Sequence, residues 1–402
     1  MTLLLHPTGN TFVRETIRSL EEIGSLESFH TTVGISSYIS NRNPLEKLFE
    51  RRSYDIKSNK LKTYPYRESA RLIFNKLNFN HLIRHEKLFS IDNVSLNLSK
   101  KVAHYIERNS NDERIKNVYG YEDSALSAFE AASKHDIRCI YELPIAYWKH
   151  MHDLLAQEME LRPEWGPTLV FDQDSSEKLE RKERELELAD TIVCPSDFVY
   201  DSLPNSIRNN KNCIINKYGA PEAVLPPLVN NSAKKIKFLF VGSMSQRKGL
   251  ADLLEAFNEI KRPDVELTII GSPLMPMSFY YSIYPHFKHI RSVSNSEVLE
   301  VMRSCDVFVL PSIVEGRALV QLEAISMGLP LIITPNTGGC DLVEDGKTGF
   351  IVPIRSSRAI MQKVNWFADN KNILYDMKKY VQDYARRLGW KDFRDGIRKI
   401  VE

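Results

Sequence analysis

The chain has no long hydrophobic run, no cysteine framework and no strong excess of either charge, and each lack removes a class of protein. No stretch approaches the roughly 18 apolar residues that a membrane-spanning helix requires. The first residues, MTLLLHPTGN, carry no basic leader and their apolar run is too short for a secretion signal, so a cytoplasmic protein is expected. Cys139, Cys194, Cys213, Cys305 and Cys340 show neither metal-ligand spacing nor the even count of a disulfide scaffold. Buried free thiols in a reducing compartment are the expectation. The formal net charge is only +2, and no nucleic-acid-binding motif accompanies the basic stretches, so nucleic acid is not an expected partner. Internal repeats and low-complexity tracts are also missing. Asp-X-Asp occurs once, at Asp172–Asp174 ahead of a charged helix, and no metal site is expected from it.

What is present is an ordinary globular composition, 43% hydrophobic and 26% charged, over 402 residues. That length exceeds a single core and predicts two domains. Residues 1–218 read as one α/β unit. A short strand, Thr2 to His6, leads into a helix from about Thr11 to Ile23, and another short strand is expected over 30–36. Helical stretches dominate 43–110. Ile137 to Tyr141 reads as a strand ending in Glu142, followed by helices at Tyr147–Leu161 and Ser176–Leu188. The strand Thr191–Cys194 then precedes Ser196, a good N-cap for a helix at Phe198–Leu203. A Pro/Asn-rich, non-periodic run over 219–235 reads as the linker. From Ile236 apolar runs at 236–241, 265–270, 306–310, 330–334 and 350–352 alternate with helical segments, which predicts a parallel sheet covered on both faces. A final helix is expected from about Asp369 to Val401.

The most informative stretch is Leu310–Thr334, LPSIVEGRALVQLEAISMGLPLIIT. An apolar strand ends at Pro311, Glu315 and Gly316 form a turn, and a helical pattern begins near Leu319 with Glu323 on its first turns. Gly328 and Pro330 stop it before the next strand. Two carboxylates thus stand with seven residues between them across a helix N-terminus, where unpaired backbone N–H groups and the helix dipole favour an anion. Carboxylates beside such a site suit sugar hydroxyls, because a charged acceptor strengthens the hydrogen bond. The pattern fits a phosphorylated sugar.

This segment resembles the nucleotide-sugar signature of retaining family-4 glycosyltransferases of the GT-B fold. Three further motifs resemble that family in the expected order: FLFVGSMSQRKGL at Phe238–Leu250, IIGSP at Ile269–Pro273 and TGGCDLVEDGKTGFIVP at Thr337–Pro353. The resemblance implies two Rossmann-like domains whose parallel sheets face a central cleft. The donor-binding domain would span 236–384, and a C-terminal helix of about 385–402 would cross back onto the first domain. It implies transfer of a sugar from a nucleotide-diphosphate sugar to a glycan or lipid-linked acceptor with retention of configuration, in polysaccharide or glycoconjugate biosynthesis, without metal or cofactor.

Residue by residue, the resemblance assigns Glu315 to the donor sugar and Glu323 to the ribose hydroxyls. Arg247 and Lys248 fall to the diphosphate, a fork and a point charge on one loop. With Glu315 they form the expected catalytic set. Gly242, Ser243, Gly316, Arg317, Ala318 and Leu319 complete the donor side. The family usually shows an aromatic residue and glycine where this chain has Arg317 and Ala318, and Arg317 is expected to contact phosphate or face the acceptor. Gly9 and Asn10, after the first strand, are expected at the phosphate and acceptor, and Glu142 ends a strand where relatives place a histidine facing the sugar. Gly338 and Gly339 sit in a turn of close backbone approach. His6, His150 and His152 are further acid/base candidates. The alternatives are an epimerase or phosphorylase on the same fold, or a catalytically degenerate binding protein.

Between Asn41 and Asn117 there are 17 Lys/Arg against 9 Asp/Glu, interleaved with leucine and phenylalanine. Solvated amphipathic helices explain this pattern, and so does a surface for anionic lipid at the inner face of a membrane.

Overall fold

The computed structural model describes residues 1–37, 52–110, 113–169, 173–222 and 235–402. Seven parallel strands form the first sheet: β1 (Thr2–Leu5), β2 (Leu26–Thr31), β3 (Leu61–Thr63), β4 (Asn117–Tyr121), β5 (Arg138–Glu142), β6 (Thr191–Cys194) and β7 (Asn212–Ile215). Their spatial order is β3-β2-β1-β4-β5-β6-β7. Six parallel strands form the second: β8 (Ile236–Val241), β9 (Val265–Ile270), β10 (Lys288–Ile290), β11 (Val307–Leu310), β12 (Leu331–Ile333) and β13 (Gly349–Ile351). Here the order is β10-β9-β8-β11-β12-β13. Both sheets start near their middle and wind outward in two directions. In such sheets ligands bind beyond the carboxyl ends of the strands where the order reverses. Those points lie between β1 and β4 in the first sheet and between β8 and β11 in the second.

The second sheet forms for a simple reason. Phe238, Leu239, Phe240, Val307 to Leu310 and Leu331 to Ile333 are all buried, because helices cover both faces and no strand has a polar side to present. The first sheet is built from less apolar material, and the sequence reading errs there. The expected strand over 30–36 is split: its first residues end Leu26–Thr31, whose polar Ser28, His30 and Thr31 are buried by pairing on both sides, and Ile35–Ser36 pairs separately with Ser53–Tyr54. The central strand Asn117–Tyr121, NVYGY, has little β-branched character, yet all five residues are buried. The run 43–110 is not simply helical: it includes β3 and the helices Tyr66–Lys76 and Ile91–Arg108, while residues 38–51 lie outside those described. So do residues 223–234 of the linker.

The expected final helix is two helices, Lys371–Ala385 and Lys391–Val401, broken around Gly389. The second lies against the helix Thr11–Glu22 of the first sheet's layer, with Arg394 paired to Glu15 at 2.5 Å and Ser19 Oγ donating to the Arg394 carbonyl at 2.7 Å. Asn117 Nδ2 donates to the Val401 carbonyl at 3.0 Å, so the chain's end is bonded to the central strand of the first sheet.

Candidate functional site

The loops after β8 and β11 meet at the reversal point of the second sheet. After β8 the chain turns through Gln246–Lys248 and reaches Gly249 at φ +70°, a conformation that favours glycine. A Cβ on Gly249 would also stand 1.9 Å from the Pro311 carbonyl oxygen, so glycine lets the two loops touch. This contact carries Arg247 and Lys248 to Glu315. The Glu315 carboxylate accepts from Arg247 Nη1 at 2.9 Å and pairs with the Lys248 ammonium. Burial pushes the Lys248 ammonium below its usual pKa, and the neighbouring Arg247 adds to this, while Glu315 opposes it.

Beside this cluster the helix Leu319–Ser326 begins at Ala318, with no side chain capping its N-terminus. A pocket of about 560 Å³ opens there, and its wall includes Gly242, Lys248, Glu315, Ala318, Leu319 and Glu323. One wall is cationic, the helix supplies N–H groups, and a carboxylate stands at each end. Burial raises the pKa of Glu323 above the ordinary carboxylate range, against the hydrogen bond that Asn295 donates to it at 2.8 Å. Asn295 was not singled out from sequence. Its signal was local: Ser294 and Glu297 form a capping box that places Asn295 at the start of its helix. Ser243 bonds within its loop, to Ser245 Oγ at 3.2 Å, and is not part of the pocket wall.

Arg317 departs from the expected role. Its guanidinium is buried and already engaged: Nη1 donates to Asp341 at 2.7 Å and to the Gly338 carbonyl at 2.9 Å, and Nε donates to the Tyr218 carbonyl at 3.2 Å. With its charge matched by Asp341 it fastens the turn after β11 to the chain leaving the first sheet. Gly316 shares that work. Its carbonyl accepts from Ser196 Oγ at 2.7 Å, and a Cβ would stand 1.8 Å from the Pro144 carbonyl oxygen. A groove of about 650 Å³ shares Arg317 with the pocket; its Lys217 pairs with Asp197 and its Asp341 with Arg317.

The candidates of the first sheet are engaged by neighbouring groups of the protein. Glu142 is buried, accepting from Tyr119 Oη at 2.6 Å and Tyr218 Oη at 2.7 Å. Burial lifts its pKa to about 7 in spite of these bonds. It does not face an open cleft as expected, because the tyrosines enclose it. Asn10 caps the helix Thr11–Glu22 by accepting from the Val13 N–H at 3.2 Å, and Gly9 lies against the Tyr54 ring. His6 is half-buried against Tyr121, its Nδ1 accepts from the Thr8 N–H at 3.0 Å, and desolvation lowers its pKa to about 3. Held neutral, it is a poor proton donor. His150 and His152 pack against Phe198 and Trp148. Gly339 lies against the Gln321 side chain.

A buried polar network that sequence reasoning missed joins the helix Trp148–Leu161 to the loop after β8. Glu158 accepts from Gln246 Nε2 at 2.8 Å and pairs with Arg355, while Arg162 pairs with Asp252 at 3.0 Å and with Glu255. Gln246 immediately precedes Arg247 and Lys248, so the first sheet's layer holds their loop. Pairs this far apart in sequence leave no local signal.

Residues 228–387 match the family model described as glycosyl transferases group 1. Over that segment the chain is similar to this family. An uncharacterised glycosyltransferase of Methanocaldococcus jannaschii is 24% identical over 218 residues, 53% of this chain and 60% of that one. The capsular polysaccharide biosynthesis glycosyltransferase CapM of Staphylococcus aureus is 32% identical over 142 residues, 33% of this chain and 37% of that one. These matches span between about a third and three-fifths of the relatives' lengths. Among solved structures, Anabaena HepE in complex with UDP superposes with a TM-score of 0.63 at 14% identity, covering 100% of this chain and 99% of that one. The fold is GT-B. Among the described residues, no helix is long and apolar enough to cross a membrane.

Proposed function

We propose that this chain works within a protein that moves a sugar from a nucleoside diphosphate sugar to a hydroxyl acceptor, glycan or lipid-linked, with retention of anomeric configuration. The observation that carries the reading is the convergence of Lys248, Glu315, an uncapped helix N-terminus and Glu323 on one pocket at the sheet's reversal point, with Arg247 paired to Glu315 behind its wall. A diphosphate entering it would compete with Glu315 for Lys248 and Arg247. The carboxylate so released is then an acceptor for sugar hydroxyls, and Glu323, which accepts from Asn295, is assigned to the ribose hydroxyls. As the glycosidic bond breaks, charge grows on the leaving phosphate oxygen. Fixed cations and N–H groups stabilise that charge without reorganising. The same oxygen, on the face where the sugar departs, can take the acceptor's proton, so no separate nucleophile is needed. Hydrolysis fits less well, since paired carboxylates would have to flank the bond as acid and base. Here Glu315 is bound in an ion pair.

Uridine diphosphate is the nucleotide to try first, because the structurally similar HepE is described as binding UDP. Incubation with a panel of nucleotide sugars and acceptors, followed by proton NMR of the product, tests the reading. The expected product keeps the donor's anomeric configuration and forms equally well with a strong chelator present. An inverted product, or activity abolished by chelation and restored by magnesium, would overturn retention or metal independence respectively.

A further inference from the structure

The largest feature left unexplained by sugar transfer is the segment Tyr66–Ile91. Its main helix, Tyr66–Lys76, buries only Glu68, and the short helix Asn80–Ile83 buries nothing. Nearly half of the large apolar side chains exposed among the described residues fall here, including Tyr66, Leu72, Ile73, Leu77, Phe79 and Leu88. Apolar surface so concentrated marks an interaction site. The accompanying charge is of one sign. Lys76, Arg84 and Lys87 are exposed, whereas neither carboxylate of the stretch is: Glu68 is buried and Glu86 is half-buried.

The segment is also anchored, and anchored to the first sheet's crevice. Glu68 accepts from Arg71 at 2.7 Å and from Arg52 at 2.7 Å, and Arg52 donates to the Pro7 carbonyl at 3.3 Å, in the loop that follows β1. At the other end Glu86 accepts from the Ser175 N–H at 2.7 Å. Phe74 packs on Phe89 and Phe79 between these ties, with ring centroids 4.9 and 6.0 Å apart. The outward apolar residues therefore stand on a fixed platform.

We propose that this platform docks the protein on an anionic lipid bilayer, leucines and Phe79 entering the interface while Lys76, Arg84 and Lys87 meet lipid phosphates. An apolar face whose fully exposed charges are all cationic fits that partner better than it fits a protein surface, where exposed carboxylates would be expected beside the lysines. The Glu68–Arg52–Pro7 link then holds the membrane face in fixed relation to the loop at the mouth of the first sheet, the side from which a lipid-linked acceptor would arrive. Docking itself does not depend on the transferase reading.

The test is sedimentation of the full chain with vesicles of phosphatidylcholine alone or of equal parts phosphatidylcholine and phosphatidylglycerol. Binding is expected only to the mixed vesicles and should weaken as salt rises. Lys76→Glu, Arg84→Glu and Lys87→Glu together should cut it about a hundredfold, at roughly fivefold per cation before counting repulsion. Leu72→Ser with Leu77→Ser should cut it by about tenfold or more while leaving thermal unfolding unchanged, since both side chains are exposed. Equal binding to both vesicles, binding to neither, or indifference to the leucine changes would overturn the proposal. So would a dimer in sedimentation equilibrium that shields Leu72 and Leu77 from solvent.

Discussion

The two sheets reverse their strand order in the same way, yet the crevices at the two reversal points are furnished differently. In the second, the polar groups face a pocket: Lys248 and Glu315 are paired to each other at its wall, and Glu323 rests on one amide. In the first, the polar groups are consumed by the protein. Glu142 is held by two tyrosines, Asn10 caps a helix and His6 bonds a backbone N–H. A charged residue at the carboxyl end of a strand is thus a weak guide to function until its partners are known. The same lesson applies to Arg317, which has the chemistry of a phosphate ligand and the surroundings of a clamp.

If the comparison holds, substitutions in the two crevices should fail in different ways. Lys248→Met should leave the protein folded and lower turnover by about a hundredfold or more, the effect of removing one preorganised charge-stabilising group. Steady-state rates alongside thermal unfolding would check this. A rate within a few-fold of the parent would remove Lys248 from the reaction.

Glu142→Gln should act on stability instead. The folded-state pKa of Glu142, about 7, lies above the ordinary carboxylate value of 4.5. Its contribution is therefore fully present below about pH 4.5 and is lost as pH rises through about 7. The loss amounts to about 3 kcal/mol in order of magnitude. Urea unfolding between pH 5 and 8 should show this decline in the parent and a flatter profile in Glu142→Gln. Identical slopes would mean that Glu142 is ionised throughout. The smallest expected effect is that of Asn10→Ala, a lost helix cap worth about 1 kcal/mol of stability, with nucleotide affinity unchanged. A change in nucleotide affinity would bring the first crevice back into the donor site.

What could be read from sequence follows the same division. Strands β8, β9, β11, β12 and β13 were placed to within a residue or two, because a strand buried on both faces is a continuous apolar run. β10, three residues with an exposed lysine, carries no such run. β4 escaped notice because Asn117, Gly120 and three neighbours of mixed character become a core strand only through their partners on both sides. The pocket was legible because Glu315, Ala318, Leu319 and Glu323 lie within nine residues of one another, and Lys248 sits on a neighbouring strand's loop. The clamp was not, since Arg317 meets Tyr218 across 99 residues. Likewise Glu158 and Gln246 meet across 88.

The central claim is that the pocket beside β8 and β11 binds a nucleoside diphosphate. Calorimetric titration of UDP, with other nucleoside diphosphates in parallel, into the parent protein and into Glu323→Gln tests it most directly. The account predicts one site in the parent, filled in the presence of chelator, and an affinity lower by about 1.5–3 kcal/mol in Glu323→Gln with folding intact. No binding of any nucleoside diphosphate to the folded parent, or equal affinity in the variant, would contradict it.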